Sequence, residues 1–180
     1  ATVQEIGFGK IISLGNKADI DEIDFIDALE EDEETKVIAA YIEGVTNGQK
    51  FIETASRVSK HKPVLIFKSG TTSAGSRAVS SHTGTLAGSE ASYVAAFKQS
   101  GVIRTSSVTE LFDLATAFAS QPLPKGRRIG IVTNAGGPGI IATDAAEKAK
   151  LQVVAITPES IEKMRPLLTP TTSFANPVDI

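Results

Sequence analysis

The chain contains no cysteine among its 180 residues. This absence excludes disulfide bonds, thiolate nucleophiles and cysteine-ligated metal sites together. No apolar run is long enough to cross a bilayer, and no signal peptide is recognisable. A net charge of −3 gives no basic surface for nucleic acid or for anionic lipid. We therefore expect a cytoplasmic protein that binds neither nucleic acid nor membrane and holds no metal ion.

Short apolar runs alternate with amphipathic stretches along the chain, which is typical of strand–helix–strand units. The pattern predicts an α/β fold with a doubly wound, mostly parallel sheet of the flavodoxin-like kind. The predicted strands are 10–14, 37–42, 63–67, 102–104, 128–133 and 151–156. Predicted helices begin near Asp21, Ser89, Ser107, Ile140 and Thr157, with a further helix over 51–58.

The segment 121–126 holds two prolines and a glycine and predicts a domain boundary. We therefore divide the chain into 1–122 and 123–180. Residues 1–9 lack the opening strand and phosphate turn that a doubly wound domain normally has. The region after Gly126 has only two clear strands, too few for an independent parallel sheet. We expect one nearly complete domain, without its first strand, and the N-terminal part of a second.

Small polar residues dominate the segment from Lys68 to Ser89, where 14 of 22 residues are Ser, Thr or Gly and none is acidic. Such residues let backbone N–H groups come close to an anion. Within it, His82 supplies a nucleophilic nitrogen. We interpret the segment as a loop that holds phosphate beside the imidazole, through Ser81, Thr83 and Gly84. A flexible Gly/Ser-rich linker is the alternative.

Glu43 directly follows the predicted strand 37–42. Parallel strands end at one edge of the sheet, so this carboxylate is expected beside the loop that carries His82. A carboxylate bonded to one imidazole N–H leaves the other nitrogen available to attack. Glu43 could instead only cap a turn. Asn16 and Asp19 follow the first predicted strand, where they could support these groups or serve ordinary turn and cap chemistry.

A second glycine-rich turn follows the predicted strand 128–133 and opens a helix. Unpaired N–H groups at a helix start, together with the helix dipole, favour anions. The turn lacks the Gly-Lys-Ser/Thr ending of a P-loop. Phosphate binding and mere tight packing both remain open for it. The candidate phosphate-binding residues here are Asn134, Ala135, Gly136, Gly137 and Gly139.

Taken together and in this order, the motifs resemble the nucleoside-diphosphate-forming acyl-CoA synthetases. That family includes the ADP-forming acetyl-CoA synthetases, with their alpha subunits, and succinyl-CoA synthetase. The resemblance runs over essentially the whole chain. It is carried by residues 12–19, 41–44, 68–70, 81–84, 86–88, 133–137 and 176–179.

The resemblance implies a succinyl-CoA synthetase-like CoA-ligase domain in 1–122 and part of another in 123–180. It implies a ping-pong reaction in which acyl phosphate phosphorylates His82, Glu43 orients the ring, and ADP becomes ATP. The complete enzyme would use CoA and ATP or ADP with Mg²⁺, with phosphate bound by these residues. The implied partners are an N-terminal CoA-binding domain, an ATP-grasp beta subunit or fused domain, and further copies in an oligomer.

Two other functions remain open at this point. The region could be the regulatory CoA-ligase-like part of a protein acetyltransferase, although such proteins usually lack the catalytic histidine. It could also be a non-catalytic α/β module that senses phosphate or nucleotide. Such a module would not require a glutamate opposite His82. The other histidine, His61, lies between two lysines and is expected on the surface.

Overall fold

The computed structural model describes residues 7–83 and 89–180, with residues 80–83 described by their backbone only. The chain forms two compact units, Ala1–Pro122 and Leu123–Ile180. Within the described ranges, no helix combines the length and apolar character that crossing a membrane requires.

The first unit contains a three-stranded parallel sheet with helices on both faces. Its strands are β1 (Ile38–Ile42), β2 (Val64–Lys68) and β3 (Ile103–Thr105), in the order β1-β2-β3. Its helices are α1 (Glu22–Ala28), α2 (Gly48–Val58), α3 (Ser73–Thr83), α4 (Glu90–Ser100) and α5 (Val108–Ser120). The prediction of an α/β fold with parallel strands is confirmed.

Side-chain caps determine where these helices begin. The Asp21 carboxylate accepts from the N–H of Asp24, and the N–H of Asp21 donates to the Asp24 carboxylate. These two bonds form a reciprocal capping box at the start of α1. Ser89 caps α4 as predicted. The sequence Ser107-Val108-Thr109-Glu110 predicts a capping box at the start of α5, and it forms only in part. Ser107 accepts from the N–H of Glu110, but the Glu110 carboxylate accepts from Ser106 instead of Ser107.

Alternating strand residues pack on opposite faces of the sheet. One face forms the main core, with α1, α2 and α4 packed on residues such as Ile38, Ile42 and Ile66. The other face is covered by α5, whose Leu111 is buried. Phe51 and Phe97 contribute the largest fully buried rings, 5.8 Å apart between centroids. Strands apolar on both faces explain why β1 and β2 read as continuous apolar runs.

Two predictions for the first unit are wrong. Residues 10–14 form no strand, because they have no pairing partner among the described residues. The segment from Lys68 to Ser89, predicted to be a loop, is also not a loop throughout, since the backbone of residues 73–83 is helical. Ser and Gly have low helix propensity in isolation, but α3 forms here with Val79 close to Gly70. Gly84 lies outside the described residues.

The second unit consists of short paired strands and two α-helices. Its elements are β4 (Arg128–Ile129), β5 (Val132–Thr133), α6 (Gly136–Lys148), β6 (Gln152–Val153), α7 (Pro158–Met164), a 3₁₀ turn (Arg165–Leu167) and β7 (Val178–Asp179). β4 pairs with β6 and β5 pairs with β7, both in parallel. Thr157 caps α7 and proline occupies its first position, as predicted.

Three predictions for this unit need correction. The single strand expected over 128–133 is two strands, because its halves pair with different partners. The strand expected over 151–156 is only two residues long, since it has only β4 beside it. The helix expected from Ile140 begins at Gly136, so part of the glycine-rich turn is its first helical turn.

Asn176 ties the split strands together. Its side-chain amide donates to the carbonyls of Ile129 (2.8 Å) and Val154 (2.7 Å). Its side-chain oxygen accepts from the N–H of Ile131 (2.9 Å). These bonds satisfy backbone groups that the short ladders leave without partners. The Asn176 side chain therefore makes hydrogen bonds to the backbone that a longer paired strand would otherwise make.

Candidate functional site

The carboxyl ends of β1 and β2 lie side by side. Ile42 is opposite Lys68 in the parallel register, and the N–H of Ser69 donates to the carbonyl of Ile42 at 3.0 Å. Glu43 follows β1 at this point, while Ser69 and Gly70 follow β2. The expectation that Glu43 and the start of the small-residue segment share one sheet edge agrees with this register. Ligands of parallel sheets bind outside this edge.

The backbone around Glu43 is held from two sides. The Lys17 ammonium donates to the carbonyl of Gly44 at 2.8 Å. The N–H of Val45 donates to the Tyr93 hydroxyl at 3.2 Å. Glu43 itself is half-buried. Its carboxylate is therefore carried by a fixed turn and still reachable, as an orienting group must be.

Lys68 is a buried cation at the same edge, with only 3% of its surface exposed. Its ammonium lies 4.7 Å from the centre of the Tyr93 ring and donates to the carbonyl of Ser69. Burial lowers the pKa of the Lys68 ammonium from its usual value, while the charge of Glu90 opposes that shift. Sequence reasoning recognised the charge of Lys68 but not its contact with Tyr93, because nothing in the local pattern links residues 25 positions apart.

Gly70 lets α3 approach the end of β2. Its φ is +67°, in the left-handed region that favours glycine. A Cβ at this position would lie 2.7 Å from the Val79 side chain and 3.4 Å from the carbonyl oxygen of Gly75. The close approach brings Val79 into the same cavity that Glu43 lines. α3 is therefore placed over the carboxyl edge of the sheet.

The backbone of His82 lies three residues after Val79, in the last turn of α3. Ser81 and Thr83 flank it in the same helix. The structure does not describe the side chains of these three residues. A contact between the His82 ring and Glu43 thus stays a prediction.

The structure separates the two supporting candidates. Asn16 lines the cavity that also contains Glu43, whereas Asp19 is exposed and does not line it. Lys17, between them, makes the contact with Gly44 that sequence reasoning missed. Its φ of +57° in the turn after residues 10–14 aims the chain back toward β1. His61 is exposed at the end of α2.

In the second unit, the start of α6 has no side-chain cap. Thr133 accepts from the N–H of Ala135 and donates to its carbonyl, so the turn before the helix closes on itself. A Cβ at Gly139 would lie 2.9 Å from the Thr133 side chain, which shows that Gly139 is needed for packing. Gly136 lies near the Asp179 carboxylate, while nothing lies within 4 Å of a Cβ at Gly137. Phosphate binding by Asn134, Ala135 and these glycines stays a prediction.

Within the described parts of both units, no group of three His, Cys, Asp or Glu side chains could hold a metal ion.

Comparison with known proteins returns ADP-forming CoA ligases. The chain is 48% identical over 177 residues to the alpha subunit of ADP-forming acetate–CoA ligase II from Pyrococcus furiosus, covering 98% of this chain and 38% of that subunit. It is 47% identical over 183 residues to ADP-forming 4-hydroxybutyrate–CoA ligase from Nitrosopumilus maritimus, covering all of this chain and 26% of that ligase. The chain therefore spans well under half the length of these relatives.

A solved structure has the same fold. It is an acetyl-coenzyme A synthetase of Ca. Korarchaeum cryptofilum in complex with phosphate and ADP, with a TM-score of 0.84 and 42% identity. The match covers 93% of this chain and 37% of that chain. The family model described as "Succinyl-CoA ligase like flavodoxin domain" matches residues 1–118. These findings confirm the resemblance seen in the motifs, and the chain belongs to the succinyl-CoA ligase-like flavodoxin domain family.

Proposed function

We propose that the chain is part of an ADP-forming acyl-CoA synthetase that converts acyl-CoA, ADP and phosphate into acid, ATP and CoA through phosphorylated His82. The observation that carries the proposal is the shared edge of β1 and β2. Glu43 leaves one strand there, and the other strand leads through Gly70 into the helix that contains His82. The names of the two relatives described above, both ADP-forming CoA ligases, support the same reaction.

The proposed steps balance as follows. Phosphate attacks the acyl carbonyl of acyl-CoA, and CoA leaves as the thiol, giving an acyl phosphate. An imidazole nitrogen of His82 then attacks phosphorus, and the carboxylic acid leaves as its carboxylate. An oxygen of the ADP β-phosphate finally attacks the phosphohistidine, which forms ATP and restores the neutral ring. Neutral imidazole is a competent nucleophile at pH 7.

The remaining site residues divide the other tasks. Glu43 accepts the second imidazole N–H and stabilises the positive charge that the ring gains. Ser81, Thr83 and Gly84 donate to the phosphoryl oxygens next to the ring. Asn16, in the same cavity as Glu43, supports this group, and Asp19 does so less directly. The start of α6 binds phosphate through its unpaired N–H groups.

The proposal requires parts beyond these 180 residues. A CoA-binding domain and an ATP-grasp unit supply CoA and the nucleotide, with Mg²⁺ carried by the nucleotide. Some relatives are named subunits and others are single longer ligases, so the ATP-grasp unit is a beta subunit or a fused domain. We further propose a cytoplasmic oligomer in which 1–122 and 123–180 are CoA-ligase domains.

Labelling with radioactive ATP tests the proposal, because the reverse reaction phosphorylates the histidine. The complete protein is expected to acquire an acid-labile, base-stable phosphate. His82→Ala should abolish that label, while His61→Ala, the change of the other histidine, should keep it. Undiminished labelling of the His82 variant would refute the assignment.

A further inference from the structure

Three side-chain contacts attach the start of α4 to the sheet. The Glu90 carboxylate lies 2.5 Å from the Arg104 guanidinium of β3. Three residues later, the Tyr93 ring packs against the Lys68 ammonium at the end of β2, and the Tyr93 hydroxyl accepts from the N–H of Val45 after β1. Residues three positions apart share one face of a helix. That face of α4 is thus connected to β1, β2 and β3.

The Tyr93 ring is held in place by the core. Tyr93 is only 9% exposed, and its ring lies 5.9 Å from the Phe97 ring, measured between centroids. The Lys68 ammonium lies 4.7 Å from the ring centre. Contacts of a ring with another ring and with a cation favour particular orientations. The hydroxyl of such a ring is an acceptor at a fixed position.

The Tyr93 hydroxyl meets the turn that carries Glu43. It accepts from the N–H of Val45 at 3.2 Å, and a Cβ at Gly44 would lie 3.7 Å from it. The Lys17 ammonium bonds to the carbonyl of Gly44 in the same turn. Each hydrogen bond restricts one peptide group close to Glu43, so the two bonds together limit where its carboxylate can lie.

Tyr93 is the more rigid of these two partners. Its ring is packed and has little conformational freedom left to lose. Lys17 has a long flexible stem, and its ammonium is shared between the Gly44 carbonyl (2.8 Å) and the Glu22 carboxylate (2.7 Å). We therefore expect the position of the turn to depend more on the tyrosine hydroxyl than on the lysine.

Both ends of the small-residue segment, residues 68–89, lead to this turn. Near the start of the segment, the N–H of Ser69 donates to the carbonyl of Ile42 at 3.0 Å. After its end, α4 brings the Tyr93 hydroxyl to Val45. The two bonds reach the residues on either side of the turn after β1. The segment that contains the proposed nucleophile is therefore closed at the turn that carries the proposed orienting carboxylate.

We propose that Tyr93 is a positioning residue for phosphoryl transfer, whose hydroxyl holds the turn of Glu43 at a fixed distance from the helix that follows the His82 segment. This role rests on the proposed function, in which Glu43 accepts an N–H of the His82 ring. Tyr93 acts through Glu43 and takes no part in bond making. Misplacement of an orienting group by about 1 Å costs on the order of a hundredfold in rate.

Tyr93→Phe tests the role, because it removes the hydroxyl and keeps the packed ring. In rapid-quench labelling of the complete protein with radioactive ATP, phosphorylation of His82 should slow by about tenfold to a hundredfold. The ATP concentration that gives half the maximal rate should change by less than about twofold, because the hydroxyl orients Glu43 and does not bind nucleotide.

Ser100→Ala is the matched control. It also removes a buried hydroxyl from α4, but this hydroxyl donates within the helix to the carbonyl of Ala96 at 2.7 Å. Labelling of this variant should keep the original rate. Equal slowing in Ser100→Ala and Tyr93→Phe would overturn the proposal, since any loss of a hydroxyl from α4 would then suffice.

A second background separates positioning from a general effect on the fold. Glu43→Ala leaves no carboxylate to orient, so adding Tyr93→Phe to it should slow labelling by less than about twofold. If Tyr93→Phe slowed labelling equally with and without the carboxylate, the tyrosine would not act through Glu43. That result would overturn the proposal.

Hydrogen exchange of the complete protein measures the contact itself, independently of activity. The amide of Val45 should exchange at least about tenfold faster in Tyr93→Phe than in the original protein. The amide of Leu65 in the middle of β2 should be unaffected. Unchanged exchange at Val45 would overturn the proposal.

Failure of this role and failure of the proposed function give different results. Label that persists in His82→Ala would refute the proposed reaction and this role with it. Label on His82 that forms at the original rate in Tyr93→Phe would refute the role of Tyr93 alone.

Discussion

The turn after β1 shows how distant side chains fix the backbone next to a carboxylate. Glu43 is half-buried, and both residues that follow it are held by hydrogen bonds from distant elements, Gly44 by Lys17 and Val45 by Tyr93. The buried Lys68 ammonium also packs over the ring of Tyr93. One tyrosine thus links the ends of β1 and β2. Pre-positioning of this kind removes the entropy cost of orienting a catalytic group during the reaction.

Glu43→Gln tests the proposed role at this scale. The amide is nearly the same size, so folding should be unchanged, but it cannot stabilise a positively charged imidazole. We expect phosphoryl transfer to His82 to slow by about 10²–10⁴-fold in rapid-quench labelling of the complete protein. Glu33→Gln, in the exposed acidic run, is the control and should keep the original rate. An unchanged rate in Glu43→Gln would make this residue a bystander.

At the scale of elements, α3 depends on one glycine. The left-handed φ of Gly70 and the short approach of Val79 place the helix against the end of β2. A larger residue both strains the backbone and pushes the helix away. Gly70, twelve residues before His82, therefore controls where the backbone of His82 lies.

Gly70→Ala should lower the free energy of unfolding by about 1–2 kcal/mol, the cost of a left-handed conformation for a residue with a Cβ. It should also slow His82 labelling, because α3 is displaced. Gly48→Ala is a matched control, since nothing lies within 4 Å of a Cβ there. That change, in the first turn of α2, should be neutral or slightly stabilising in urea unfolding. Equal effects of the two substitutions would contradict this account of Gly70.

In the second unit, Asn176 links short strands that have few backbone hydrogen bonds of their own. Asn176→Asp keeps the shape but removes two amide donors, leaving the carbonyls of Ile129 and Val154 without partners. We expect a loss of about 2–3 kcal/mol in urea unfolding. Gln152→Glu removes an amide donor from an exposed side chain of β6 and should change stability little. Similar losses in both variants would show that Asn176 has no special role.

The whole molecule is expected to need more than this region. In the proposed reaction the phosphoryl group passes from acyl phosphate to His82 and then to ADP, and the proposal assigns the binding of CoA and ADP to parts of the protein beyond these residues. Residues 1–180 alone should therefore form no ATP above background from acetyl-CoA, ADP and phosphate in a coupled assay. The complete protein is the positive control. Turnover by residues 1–180 alone would refute the proposed division of labour.

The strands β1 and β2 were predictable from sequence, because a short apolar run can be recognised without knowledge of its neighbours. The caps at Ser89 and Thr157 were equally local. Prediction was wrong where pairing decides the outcome. Residues 10–14 form an apolar run as β1 does but pair with no strand in the described part of the chain, and residues 128–133 divide between two partners.

For the candidate site, too, local motifs could be predicted from sequence and long-range contacts could not. Motif order alone identified the family and singled out His82 and Glu43, since these residue types in that sequence are specific. The packing of Lys68 on Tyr93 and the bond from Lys17 to Gly44 could not be predicted, because each joins residues far apart in the chain. The helical backbone of α3 was missed because its Ser and Gly residues have low helix propensity. Helix caps, turns and short motifs depend on neighbouring residues and can be predicted from sequence. Strand pairing, burial and the distances between remote residues exist only once the chain has folded.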